Sequence, residues 1–162
     1  MTPFDPQTGT VNINPGIVAA APPISGELIA AAEAAGFTAP EAGVIAEANE
    51  ILGSGQLAEI AEAHAAGKAT QVVINGRTIL YEPGMNTSGM TMFGENGFVI
   101  GNQAFASQGE LDQTVLHELY RLTASARAGG GGVSGPIASA ETDDAWNFAG
   151  RAYDYLRRMG LR

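Results

Sequence analysis

Histidine is scarce in this chain: 162 residues contain two, His64 and His117, and no cysteine. The lack of cysteine excludes disulfide frameworks, thiolate zinc sites, iron–sulfur clusters and cysteine nucleophiles, so acid–base or metal chemistry must draw on His, Asp or Glu. His64 follows Leu57 by seven residues and Ile60 by four, beside the apolar stripe of a helix and near its C-terminus. Packing, or a favourable interaction with the helix dipole, accounts for it there. His117 sits in Thr114-Val-Leu-His-Glu-Leu-Tyr-Arg-Leu122, on a helix whose apolar stripe faces nearly the other way. Arg121 and Ser125 follow it at i+4 and i+8, with Glu118 at the border of the same face. An imidazole moves a proton near neutral pH and a guanidinium fork holds an anion, so the pair suits a phosphate-containing substrate. A phosphodiesterase, an RNase that makes a cyclic phosphate and an enzyme that binds the pyrophosphate of NAD all fit. The opposing expectation is that Glu118, Arg121 and Ser125 are a solvated helix face.

A His-Glu pair in mid-helix after apolar residues also resembles the zinc-peptidase helix, in which two histidines one turn apart hold the metal and the Glu polarises its water. The stretch Phe98-Val-Ile-Gly-Asn-Gln-Ala-Phe105 looks like the strand beside a zincin substrate cleft, and Glu141, 24 residues beyond His117, stands near the spacing of the third ligand in glutamate-type zincins. Residues from about 71 to 159 therefore resemble a minimal zincin with a degenerate HExxH motif, His117-Glu-Leu-Tyr-Arg121. The resemblance implies that His117 and Glu141 are metal ligands for zinc, that Glu118 is the general base and that Arg121 stabilises an oxyanion. Arg121 replaces the second histidine and cannot ligate zinc, which leaves two ligands unless His64, Asp143 or Asp144 completes the set. A third class is a non-catalytic binding module on a degenerate zincin scaffold.

The elements that must position these residues are legible from their punctuation. Ser25 can cap a helix that stops at Gly36. Thr38-Ala-Pro-Glu41 is a capping box opening a helix that ends at Gly53, and Ser54 starts another that runs to Gly67. The period then changes. Gln71-Val-Val-Ile74 and Arg77-Thr-Ile-Leu-Tyr81 flank Asn75-Gly76, a hairpin signal because both central residues of a type I′ turn need positive φ. Thr91-Met-Phe93 and Phe98-Val-Ile100 predict a second hairpin, and Asn86-Thr-Ser-Gly89 reads as a turn between strands. Ser107-Gln-Gly-Glu110 is a further capping box, opening an amphipathic helix with Leu111, Val115, Leu119, Leu122 and Ala126 on one stripe. Gly129-Gly-Gly-Gly132, continuing through Ser134-Gly-Pro136, predicts a mobile connection and lacks the flanks of a phosphate loop. A last helix after Ser139 carries Ala145, Phe148, Ala149, Ala152, Leu156 and Met159 inward, with Trp146, Tyr153 and Tyr155 also expected to pack. The order predicts an α+β domain: N-terminal helices, a small antiparallel sheet of hairpins, and two long C-terminal helices, zincin-like in outline.

Residues 1–24 hold five of the eight prolines and are expected to be a linker or extended arm, leaving 25–162 as one domain. No apolar run approaches the roughly 18 residues of a membrane span, and no signal peptide is apparent. Residues 1–67 carry eight acids and no Lys or Arg, while the eight basic residues all follow, within a net charge of −9. That balance disfavours a nucleic-acid partner, since no basic stripe is present to neutralise phosphates.

A proline-rich joint leading into a compact domain, together with Gly89-Met-Thr-Met-Phe-Gly-Glu-Asn-Gly-Phe-Val-Ile-Gly101 and Leu116-His-Glu-Leu-Tyr-Arg-Leu122, resembles the C-terminal toxin domains of bacterial polymorphic toxins. That resemblance implies a hydrolase secreted or delivered into a target cell as part of a larger toxin, and a cognate immunity protein that covers a site built on His117, Glu118, Arg121 and Glu141.

Overall fold

The computed structural model describes residues 25–92, 96–127 and 135–162, with the helical backbone alone at 25, 124–127 and 135–142. The expected arm, residues 1–24, and the glycine run at 129–132 lie outside the described residues. Three helices come first: α1 (Ser25–Ala34), α2 (Ala39–Leu52) and α3 (Gly55–Ala66). At the start of α2 the capping box is complete, the Thr38 hydroxyl accepting from the Glu41 amide at 3.2 Å and the Glu41 carboxylate accepting from the Thr38 amide at 2.9 Å. Ser54 caps α3 through the Gln56 amide, and Gly67 closes it in the left-handed region at φ 68°.

Four strands follow, β1 (Thr70–Ile74), β2 (Arg77–Tyr81), β3 (Gly89–Met92) and β4 (Gly97–Ile100). The first hairpin turns at Asn75 (φ 53°) and Gly76 (φ 74°), as the positive-φ requirement of that dipeptide predicts. The second pairs β3 with β4, Thr91 opposite Phe98. The expectation of a purely antiparallel sheet needs correction. The strand order is β1-β2-β4-β3, and β2 joins β4 in parallel, Ile79 opposite Phe98. All four residues of β4 are buried, so it takes an interior place, whereas β3, with Met90 half exposed, takes the edge. The strand expected over 98–105 accordingly ends at Ile100 and gives way to a 3₁₀ turn, Asn102–Ala106; the edge strand beside the candidate site is β3.

Two long helices complete the fold, α4 (Gln108–Arg127) and α5 (Gly135–Arg158). Ser107 caps α4 by accepting from the Glu110 amide at 3.0 Å. The last helix begins earlier than expected and takes in Pro136, whose fixed φ and missing N–H suit a first turn. Phe148, Ala149, Ala152, Tyr155 and Leu156 are buried, but Met159 lies beyond the helix end and points to solvent. The arrangement is α+β.

The central element is α4, which packs against α2, α5, the 3₁₀ turn, β3 and β4. Val115, Leu116 and Leu119 on it are fully buried, and so are polar residues that a one-stripe helix would leave in water. Across the sheet, Val72, Ile79, Phe98 and Thr91 form one row of register partners, all buried. A single hydroxyl thus ends an otherwise apolar row, at the strand that meets α4.

Candidate functional site

The consequences gather at mid-α4. His117 is 3% exposed and Glu118 1%, so of the expected solvated face of Glu118, Arg121 and Ser125 the first is buried. Burying a carboxylate and an imidazole side by side is costly unless each finds a partner. Glu118 has two: its Oε1 accepts from the Thr91 hydroxyl, and its Oε2 lies 3.1 Å from His117 Nδ1. Neighbours i and i+1 on a helix normally diverge, so a contact between them requires a carboxylate drawn to one side. The Thr91 hydroxyl, on the strand packed against α4, is placed to draw it.

An ionised carboxylate only accepts hydrogen bonds, so opposite it a neutral His117 ring carries its proton on Nδ1 and its lone pair on Nε2. Nε2 is buried without a hydrogen-bond partner among the described residues, as is the Thr114 hydroxyl one turn earlier on the helix. One face of the His117 ring is covered by Trp146 of α5, ring centroids 3.9 Å apart and planes 24° apart. The indole is itself 38% exposed, a large apolar group at the protein surface directly above the imidazole.

The remaining candidates are placed as follows. Arg121, one turn beyond His117, is partly buried. The side chains of Ser125 and Glu141 lie outside the described residues. His64 packs as a ring, stacked on Phe105 at 4.2 Å and edge-on to Tyr81 at 5.6 Å. Asp143 and Asp144 are exposed on α5. Among the described residues no group of three or more His, Asp or Glu side chains could hold a metal ion. Among the described residues His64, Asp143 and Asp144 thus do not join His117 in a set of three ligands, and the side chain of Glu141 lies outside them.

Asp112, a turn and a half before His117 on the same helix, is a second buried carboxyl. It accepts a hydrogen bond from Gln108 at 2.7 Å, and burial raises its pKa above the ordinary 3.8 against the opposing pull of Gln108 and Arg162. Thr91 and Trp146 are the members of the site that helical spacing does not pick out, and Thr114, a turn before His117, is not singled out by its type. The available signal is faint: in Gly89-Met-Thr91 the strand period puts a glycine and a hydroxyl on the helix-facing side, in register with the apolar Ile100 and Phe98. No family model, curated protein or solved structure matches the chain.

Proposed function

We propose that this chain is a hydrolytic toxin or effector domain whose acid–base centre is His117, oriented by Glu118. The observation that supports it best is the engagement of His117 Nδ1 by a buried carboxylate while Nε2 finds no hydrogen-bond partner among the described residues. A carboxylate at Nδ1 fixes the tautomer and stabilises the imidazolium formed when Nε2 takes a proton. In the reaction Nε2 accepts the proton of an attacking water or hydroxyl and returns it to the leaving group, a contribution of roughly 10²–10⁴-fold. Arg121, one turn along the helix, is the group for the anionic centre, which favours a phosphate-containing substrate. The effector half of the proposal rests on the likeness of the 89–101 and 116–122 stretches to polymorphic-toxin modules. A cognate immunity protein belongs to the same reading.

The zincin-like alternative makes a different demand on Glu118. A zinc-peptidase base must present a carboxylate oxygen to the metal-bound water, whereas here one oxygen accepts from Thr91 and the other faces His117. Inducible expression in bacterial cells tests the choice. Wild type should arrest growth, His117→Ala should abolish the arrest, Glu118→Gln should weaken it, and Glu141→Ala should leave it intact. An arrest that survives His117→Ala sinks the acid–base proposal. Stoichiometric zinc in the purified protein, with loss of arrest in Glu141→Ala, would replace it with the metal reading.

A further inference from the structure

We infer that Thr91 is a positioning residue for His117, acting through Glu118, and that Gly89 is the opening in the strand that lets it do so. The inference rests on the proposed acid–base role of His117, but its geometry stands on its own. Thr91 and Gly89 are two apart on β3, so both face α4, while Met90 between them points outward and is 51% exposed. Thr91 is 7% exposed and pairs across the sheet with Phe98. Its hydroxyl donates to Glu118 Oε1 across 27 residues of sequence. At Gly89 an added Cβ would stand 2.9 Å from the Val99 carbonyl oxygen, 3.0 Å from Glu118 Oε2 and 3.1 Å from Thr114 Cγ2. Of the two oxygens the Val99 carbonyl belongs to the paired backbone of β4, whereas the carboxylate oxygen is the one facing His117 Nδ1 and ends a flexible side chain, so a side chain at position 89 would push the carboxylate off the imidazole.

A threonine that served only to form a strand would need no partner at this position, because valine has the same shape and a comparable strand preference. The hydroxyl acts on one thing, the aim of the Glu118 carboxylate. Without it Oε1 has no donor among the described side chains, the carboxylate is free to rotate about its last torsion, and Nδ1 loses its fixed acceptor. The imidazole then has no reason to keep its proton on Nδ1. Second partners of this kind are what hold a functional histidine to one tautomer and one orientation.

The test reads the tautomer directly, by nitrogen-15 spectra of the two imidazoles, with His64→Gln used to assign His117. Wild type should give a protonated Nδ1 and a bare Nε2 at a pH where the ring is neutral. Thr91→Val should shift both signals toward a mixture of tautomers, Thr91→Ser should restore the wild-type pattern, and Gly89→Ala should shift them as Thr91→Val does. Should the valine variant fail to fold, Thr91→Ala carries the same expectation. A wild-type pattern in folded Thr91→Val, or failure of the serine variant to restore it, overturns the assignment. The outcome is separable from that of the acid–base proposal, since growth arrest that survives His117→Ala would remove the proposed reaction without changing what these spectra say of Thr91.

Discussion

Trp146 lies nearly flat on His117, 3.9 Å between ring centroids, although the two belong to different helices and 28 residues separate them in sequence. The stack has two consequences. It contributes about 0.5–1.5 kcal/mol beyond simple burial, and it covers one face of a ring whose Nε2 is otherwise enclosed.

Trp146→Ala should therefore expose His117 while leaving the α5 core at Phe148 and Leu156 in place. The expected result is faster modification of His117 by diethylpyrocarbonate, read by peptide mass spectrometry against His64 as internal reference. An unchanged ratio of the two histidines would show that the indole does not control access.

Gly76→Val tests the hairpin that sets the register of β1 and β2. An added Cβ at Gly76 meets nothing within 4 Å, so any cost comes from the backbone at φ 74° rather than from a clash. A left-handed conformation costs a residue with a Cβ roughly 1–2 kcal/mol, more for a β-branched one. The urea midpoint of Gly76→Val should fall accordingly, and an unaltered midpoint would contradict the turn.

That hairpin and the Thr38 box were legible in the sequence because each is a local device: a few neighbouring residues satisfy their own backbone. The amphipathic stripe of α4 was legible for the same reason. The parallel pairing of β2 with β4 was not, because it depends on which strand can afford burial on both flanks, a property of the assembled sheet. The burial of His117 and Glu118 escaped likewise. A helical wheel counts one apolar stripe, whereas α4 is enclosed by β3 on one side and α5 on another. The Thr91–Glu118 contact joins residues that no spacing rule relates, so the sequence offered the dyad but not what holds it.

Two carboxyls give the stability curve opposite slopes. At Asp112 burial raises the folded pKa above 3.8, against Gln108 and Arg162, so the fold favours the neutral acid. Its stabilising contribution is complete below pH 3.8 and is lost as the pH rises through the raised value. Asp112→Asn, which keeps an acceptor for Gln108, should be more stable than wild type at pH 7, with the advantage vanishing below pH 3.8. At Glu41 burial also pulls upward, but the Thr38 amide and Arg151, 3.0 Å away, prevail and hold the pKa below 4.5. That contribution is present above pH 4.5 and lost as the pH falls through the lowered value, so Glu41→Gln should cost stability at pH 7 and nothing at pH 2. Urea denaturation of the three proteins from pH 2 to 7 checks both signs.

Arg121 separates the two chemistries most cleanly, because the same substitution has opposite consequences in each. In the proposed reaction its guanidinium holds an anionic centre, and Arg121→His should remove about 1.5–3 kcal/mol of that interaction, enough to weaken growth arrest by an order of magnitude or more. The same change places a second imidazole one turn from His117, whose Nδ1 already has a carboxylate partner and whose Nε2 has no partner among the described residues. A carboxylate-backed imidazole is the ordinary form of a zinc ligand. Calorimetric titration should therefore find zinc binding in Arg121→His that wild type lacks, and in Arg121→Lys neither zinc binding nor full arrest, since an ammonium keeps the charge but not the fork. If wild type itself binds zinc stoichiometrically, and Arg121→His keeps or improves the arrest, then Arg121 is a substituted ligand position and the metal-independent reaction is wrong.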